Sequence, residues 1–262
     1  MNQAALLDLL ASLKARAYRF VTITPASHDR VLARSNRSVA RCLEDALGWS
    51  LPFEHGLLDA DILDPLQRAG ALSEENGLLR SRIRVSSLGE DLFIHSAHPT
   101  EADNAVFFGP DSYRFATLIE AELSGCTGTL VDIGTGSGVG AVVGARCCPG
   151  ARIIMTDINA RALQFAAVNS AAAGLSAQCI LGDNLDGIAG AIDVALANPP
   201  YIIDASSRAY RDGGGLLGAQ VSLDMAQMAV ERLAPGGKLI LYTGSAIVDG
   251  RDALREALGK LG

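Results

Sequence analysis

Membrane, metal and disulfide signals are all missing from this sequence, and each gap narrows its class. No uncharged apolar run approaches the roughly 20 residues that a membrane-crossing helix needs, and no basic-then-apolar leader opens the chain. The first helical stretch, Ala4 to Arg16, carries Asp8, Lys14 and Arg16 among its leucines, so a soluble, cytoplasmic protein is expected. Cysteine is sparse: Cys42, Cys126, Cys147, Cys148 and Cys179 make an odd set with no C-x-x-C pair. Reduced, partly buried thiols are therefore expected, the adjacent Cys147 and Cys148 being the one pair with redox potential. Of His28, His55, His95 and His98, only the last two are near neighbours, and no third ligand type clusters with them. A zinc site needs three or four protein ligands, so no metal is expected. Basic charge is also short: 22 Lys and Arg stand against 29 Asp and Glu, a net charge of -7. That balance does not announce nucleic acid, although a local basic face remains open. No internal repeat or low-complexity linker occurs.

Core material is plentiful. Hydrophobic residues make up 49% of the 262 and charged residues 19%, enough for one large domain or a small one plus a medium one. The sequence changes character near residue 104. Before it, Val39, Cys42, Leu43 and Leu47 form a helical stripe, and Ile62 to Ala71 reads as another helix. Leu78 to Val85 and Asp91 to Ser96 then read as two strands, with Arg80, Arg82 and Arg84 on one outward face. The stretch LQRAGALSEENGLLRSRIRV is similar to the third-helix-to-wing passage of winged-helix domains. A smaller, mostly helical, winged-helix-like domain is expected over 1–104.

From residue 105 strands and helices alternate, which predicts a parallel sheet covered on both faces. The expected strands are Gly128–Asp132, Arg152–Asp157, Ala177–Leu181, Asp193–Ala197 and Lys238–Thr243. Helices are expected over Val139–Cys148, Ala160–Ala173, Val221–Leu233 and Asp249–Lys260, with Pro235-Gly236-Gly237 ending the third.

Two loops carry chemistry. In LVDIGTGSGVGA a strand ends at Asp132, and Gly134, Gly136 and Gly138 precede a helix. Glycines there allow a ligand close to the backbone, and the helix start offers free N–H groups. Gly136, Gly138 and Ala141 also fit the G-x-G-x-x-G/A dinucleotide pattern, so a nicotinamide-dependent oxidoreductase is a rival reading. Asp132, two residues before the first glycine, tilts against it. D-x-G-x-G-x-G resembles motif I of class I S-adenosylmethionine-dependent methyltransferases. Asp157 closes the next strand, where a carboxylate can take both ribose hydroxyls of an adenosine. Ile158 flanks it; capping the following helix is the plainer duty, for which Asn159 competes. The resemblance implies that Asp183 and Asn184, in LGDNL, contact the adenine; a simple turn is the alternative.

The second loop is ANPPYI, Ala197 to Ile202, directly after the fourth strand. It resembles the (N/D/S)-P-P-(Y/F/W) loop of amino-methyltransferases: the release-factor glutamine methyltransferases, the adenine-N6 enzymes and the small-domain rRNA N-methyltransferases. A target NH2 needs two acceptors, the Asn198 side-chain oxygen and a carbonyl of the stiff Pro199-Pro200 loop. Holding both N–H groups aims the nitrogen at the sulfonium methyl, and the same oxygens stabilise the growing charge. Tyr201 can stack on the planar target. Asn198, Pro199, Pro200 and Tyr201 are thus the catalytic candidates, with Asn198 also beside the cofactor. VFFGPDSYRFATLI resembles the segment before motif I in the glutamine enzymes, making Phe107, Phe108, Asp111 and Tyr113 candidate wall residues; a helix cap plus core aromatics is the alternative. YRDGGGLLG, Tyr210 to Gly218, resembles their glycine-rich loop.

The resemblance implies a Rossmann-like α/β domain over 105–262 that binds S-adenosyl-L-methionine and methylates a planar nitrogen. The favoured target is a protein glutamine amide; structured RNA or DNA carrying a base amine is the alternative. Because the usual fold ends in an antiparallel pair, this domain is expected to lack its last strands.

Overall fold

A computed structural model describes residues 1–34, 37–100, 102–203 and 211–261. Helix α1 (Gln3–Ala15) starts where the Asn2 side chain accepts the Ala5 N–H at 3.3 Å. Leu6, Leu9, Leu10 and Leu13 then fall on one buried stripe. After α2 (Pro25–Leu32), α3 (Leu43–Leu47) and α4 (Ala60–Arg68) come two antiparallel hairpins, β1 (Leu72–Glu75) with β2 (Leu78–Ser81) and β3 (Ile83–Leu88) with β4 (Asp91–Ser96).

Three expectations fail here. The stripe from Val39 to Leu47 is helical only from Leu43, because Ala40 N–H goes to Pro52 O at 2.8 Å. Leu78 to Val85 is not one strand: it breaks at Arg82, whose N–H bonds Ala71 O at 2.8 Å. Arg84 does not share an outer face with Arg80 and Arg82. It is only 5% exposed, donates from Nε to Gly48 O at 2.8 Å and lies over the Phe20 ring. Burial lowers its pKa to about 10. The β3–β4 hairpin is covered on both faces, so strand alternation there has no solvent side.

The second half contains α5 (Pro110–Glu122), β5 (Thr127–Ile133), α6 (Val139–Cys147), β6 (Gly150–Asp157), α7 (Ala160–Ala172), β7 (Ala177–Leu181) and β8 (Ile192–Ala197). A distorted turn, α8 (Gly215–Gly218), leads into α9 (Gln220–Val230) and β9 (Leu233–Leu241). The small pair β10 (Ile247–Val248) and β11 (Arg251–Asp252) precedes α10 (Ala253–Leu258), shorter than the helix expected there. Five parallel strands form a Rossmann-like sheet in the order β7-β6-β5-β8-β9. Pro235-Gly236-Gly237 lies inside β9 rather than outside a helix, and the β8–β9 register shifts between Ile192 and Val194.

Side-chain alternation divides the sheet into two cores. Leu130, Met155, Val194, Leu196 and Ile240 meet α5, α6 and α7. Val131, Ile133, Ile154, Ala195 and Ala197 meet Leu185, Ile188 and Ala229 on the other side. The chain winds outward from β5 in both directions, so a crevice opens at the carboxyl ends of β5 and β8.

Helix α7 joins the halves. Its Ala162, Phe165 and Val168 pack in the same cluster as Leu6, Leu9 and Ile62. The Asn169 side chain accepts Ile94 N–H at 2.8 Å and donates to Ile94 O at 3.0 Å and Ser137 O at 2.9 Å. Arg146 clasps Asp91 with two bonds of 2.6 and 2.9 Å.

The expectation of reduced thiols is corrected. Cys126 and Cys148 form a disulfide across 22 residues, with Cα atoms 4.8 Å apart. Cys126 immediately precedes β5, and α6 runs back along the sheet to end at Cys148, so topology unites residues that spacing does not. Cys147 is free, as are the exposed Cys42 and Cys179. Among the described residues no helix is long and apolar enough to cross a membrane, and no group of three or more His, Cys, Asp or Glu is placed to hold a metal ion.

Candidate active site

The crevice is a cleft of about 810 Å³. Motif I supplies one wall, and its shape is set by a buried acid. Asp132 Oδ2 accepts the Thr135 hydroxyl at 2.5 Å and the Ala141 N–H at 2.9 Å, folding the loop back onto β5. A Cβ at Gly140 would stand 2.4 Å from Asp132 Oδ1, so only glycine leaves room for that carboxylate. Gly134, Gly136 and Asp132 line the cleft. Gly138 does not. It has φ 86° at the start of α6, and a Cβ there would meet Ala166 at 3.2 Å. Its part is close helix packing, which corrects the expectation of a cofactor contact.

Burial raises the Asp132 pKa to about 7, against the pull of its Thr135 and Ala141 hydrogen bonds. Between 3.8 and about 7 the folded protein holds a proton there that the unfolded chain has released. Its contribution to stability therefore falls as pH rises through that window. Asp132→Asn, which keeps an acceptor for Thr135 and Ala141, should flatten the fall in urea midpoint over those pH values. An unchanged slope would show that Asp132 is ionised in the folded protein throughout.

Asp157 ends β6 with both oxygens facing the cleft loops. Oδ2 accepts Gly136 N–H at 2.9 Å and Oδ1 accepts Asn159 N–H at 2.8 Å. Burial pushes its pKa up, opposed by these N–H groups. The capping duty falls to Asn159, whose side chain accepts Arg161 N–H at 3.0 Å. Asp157 is thus left at the cleft, beside the exposed Ile158, and Asp183 and Asn184 line the same cleft from the end of the neighbouring strand β7.

The Asn198–Tyr201 loop follows β8 on the far side of the same cleft, where Asn198, Pro199 and Pro200 line it. Tyr201 does not; a Cβ on Gly244 would touch its ring. Of the other expected wall residues, Phe107 is in place and Phe108, Asp111 and Tyr113 are not. Phe108 is buried between His95 and Phe93, and the Tyr113 hydroxyl accepts Thr22 N–H at 3.1 Å. Phe108 and Tyr113 are thus folded toward the N-terminal half, closer to the core-aromatic alternative, whereas Asp111 takes the Tyr242 hydroxyl at 3.4 Å. Asp111 is no cap: at that helix start the Ser112 hydroxyl accepts the Gly109 N–H at 3.2 Å. Tyr210 lies outside the described residues. Sequence reasoning missed Val106, Arg161, Asp212, Asp224, Met225 and Met228, all in the wall. Asp212 sits in the glycine-rich loop already singled out; the α9 residues carry no signal beyond helical spacing.

The model of one family, Methyltransferase small domain, matches residues 113–261. A release factor glutamine methyltransferase of Cereibacter sphaeroides is 34% identical over 250 residues, covering 89% of this chain and 88% of its own. The chain belongs to the methyltransferase small domain family. It is an S-adenosylmethionine-dependent methyltransferase, and the nicotinamide reading falls away. A ribosomal RNA small subunit methyltransferase C of Pseudomonas aeruginosa is 33% identical over 118 residues, covering 45% of this chain but 32% of its own. Among solved structures, a T. thermophilus 16S rRNA N2 methyltransferase in complex with AdoMet and guanosine is 18% identical, with a TM-score of 0.47 over 73% of this chain and 54% of that one.

The methyltransferase's cleft suits its cofactor. When bound, S-adenosylmethionine supplies a methyl group on a positively charged sulfur. Asp103, Asp132, Asp157, Asp183, Asp212 and Asp224 line the cleft against one described cation, Arg161, a balance that favours a cationic occupant.

Proposed function

We propose that this methyltransferase modifies a planar nitrogen held by Asn198 and the Pro199-Pro200 loop, and that the nitrogen belongs to a protein glutamine amide. One observation carries the chemistry. The half-buried Asn198 amide makes no hydrogen bond among the described residues, although it lines the cleft beside two prolines that have no N–H to offer. A polar side chain kept there without a partner has its hydrogen bonds reserved for a ligand. Asn198 accepts one N–H of the target and a proline-loop carbonyl the other, and both oxygens stabilise the charge that develops on nitrogen.

On the cofactor side, Gly134, Gly136, Asp157, Ile158, Asp183 and Asn184 hold the adenosine and methionine parts. Asp157→Ala should weaken S-adenosylhomocysteine by roughly 1.5–3 kcal/mol, the range for hydrogen bonds to a charged group. Calorimetry that finds unchanged affinity would remove Asp157 from the site.

The protein target is favoured because the cleft's six aspartates oppose a phosphate-rich partner, and because the glutamine relative matches nearly end to end while the RNA relative matches over less than half of this chain. The test is transfer of a tritiated methyl group to purified release factor and, separately, to structured ribosomal RNA. Label is expected in the protein. Label in RNA, with a salt slope that drops when the exposed Arg80 and Arg82 become alanine, would overturn the choice.

A further inference from the structure

Five consecutive residues ahead of α5, Asp103 to Phe107, line the cleft. They belong to the strap that leads from β4 to α5. A strap has no ladder of backbone bonds, so each of its ties can be counted. At Val106 the tie is to β4: Val106 N–H bonds Ser96 Oγ at 2.9 Å, and Val106 O takes Ser96 N–H at 3.1 Å. Upstream, the strap turns on itself, with Ala105 N–H on Ala102 O at 2.9 Å. The Asn159 amide joins that turn to the catalytic half. Its Nδ2 donates to Asn104 O at 3.0 Å and reaches toward Ala105 O at 3.5 Å. Arg161 adds only a long contact of 3.5 Å to Asn104 Oδ1.

That nitrogen is surplus to the helix cap. Capping α7 takes an oxygen, and Asn159 Oδ1 supplies it to Arg161 N–H at 3.0 Å. Serine or aspartate would cap as well. The Asn159 backbone N–H meanwhile bonds Asp157 Oδ1 at 2.8 Å, and Asp157 Oδ2 holds Gly136 N–H at 2.9 Å. Gly136, Asp157, Asn159 and Asn104 are thus linked in series, and all four line the cleft.

We propose that Asn159 is a positioning residue for the cofactor: its amide nitrogen holds the Asp103–Phe107 strap against the catalytic half, so that this wall is set before S-adenosylmethionine arrives. A wall already in place spares the ligand the cost of ordering it. The proposal rests on the placement of the cofactor beside Asp157.

Asn159→Ser and Asn159→Asp test it, because both keep a capping oxygen and remove the nitrogen. Calorimetry with S-adenosylhomocysteine should give a Kd about three- to tenfold higher in each, the span of one ordinary hydrogen bond. The urea midpoint of Asn159→Ser should stay at the wild-type value, whereas Asn159→Ala, which also loses the cap, should lower it. A second readout needs no ligand. In the free enzyme, the amides of Ala105 and Val106 should exchange with deuterium several-fold faster in Asn159→Ser than in wild type. Wild-type affinity in Asn159→Ser would overturn the proposal. Weakened affinity with unchanged exchange at Ala105 and Val106 would overturn it too, since Asn159 would then act without the strap. Unchanged affinity in Asp157→Ala would remove the cofactor placement and this proposal together. A weakened Asp157→Ala beside a fully binding Asn159→Ser would remove this proposal alone.

Discussion

Turnover of the Asn198→Ala variant should fall by about 10²–10³-fold, by analogy with losing one preorganised polar partner of a transition state. Cofactor affinity should stay near that of the wild type. The reason is the separation of the two walls of the cleft: Asp157 and the glycine loop, to which the cofactor is assigned under the proposed function, stand at the ends of β5 and β6, while Asn198 sits at the end of β8. Removing Asn198 takes away no bond that the folded chain uses, so stability should change little. Single-turnover rates with calorimetry on the same variant check both halves. A near-normal rate would rule out the proposed chemistry, and a large loss of cofactor affinity would move Asn198 to the other side of the site.

Phe165→Ala should cost about 3–5 kcal/mol of stability, the range for emptying a fully buried aromatic site. Phe165 has no exposed surface, and it packs among residues of α1, α4 and the β3–β4 hairpin rather than against the sheet. The cavity would open at the seam between the halves. Urea unfolding followed by Trp49 fluorescence reads the N-terminal side of that seam. A loss below about 1 kcal/mol would mean that the seam collapses around the gap, or that the N-terminal half is not docked on α7 in solution.

The catalytic half was largely legible because its signals are local. Each of the five expected strands is present, since buried parallel strands read as apolar runs bounded by glycine, and the helices between them follow the 3.6-residue period. Asp157 and Asn198 could be placed because each ends a strand on one side of a parallel sheet, and topology then brings them to one cleft. What failed depends on partners distant in sequence. Arg84 reads as a surface arginine until the carbonyl of Gly48 and the ring of Phe20 arrive from 36 and 64 residues away. Phe108 and Tyr113 read as cleft wall because the helix start could face either way, and contact with His95 and Thr22 decides it. The Cys126–Cys148 pair is invisible to spacing, as it depends on α6 returning to the foot of β5.

The β3–β4 hairpin has one further consequence. An unpaired strand edge is a template on which another extended chain can add itself. Here outward-facing positions on both edges are already occupied. Ser87 exchanges bonds with Phe20, Ile94 gives both its backbone groups to the Asn169 amide, and Ser96 N–H goes to Val106 O at 3.1 Å. Asn169 thus stands in for the missing neighbour, one side chain doing what a residue of a third strand would do. An extended chain cannot zip onto this ribbon, so β-augmentation is closed at these positions. The same side chain closes that edge of the hairpin to edge-to-edge pairing with a second copy at these positions.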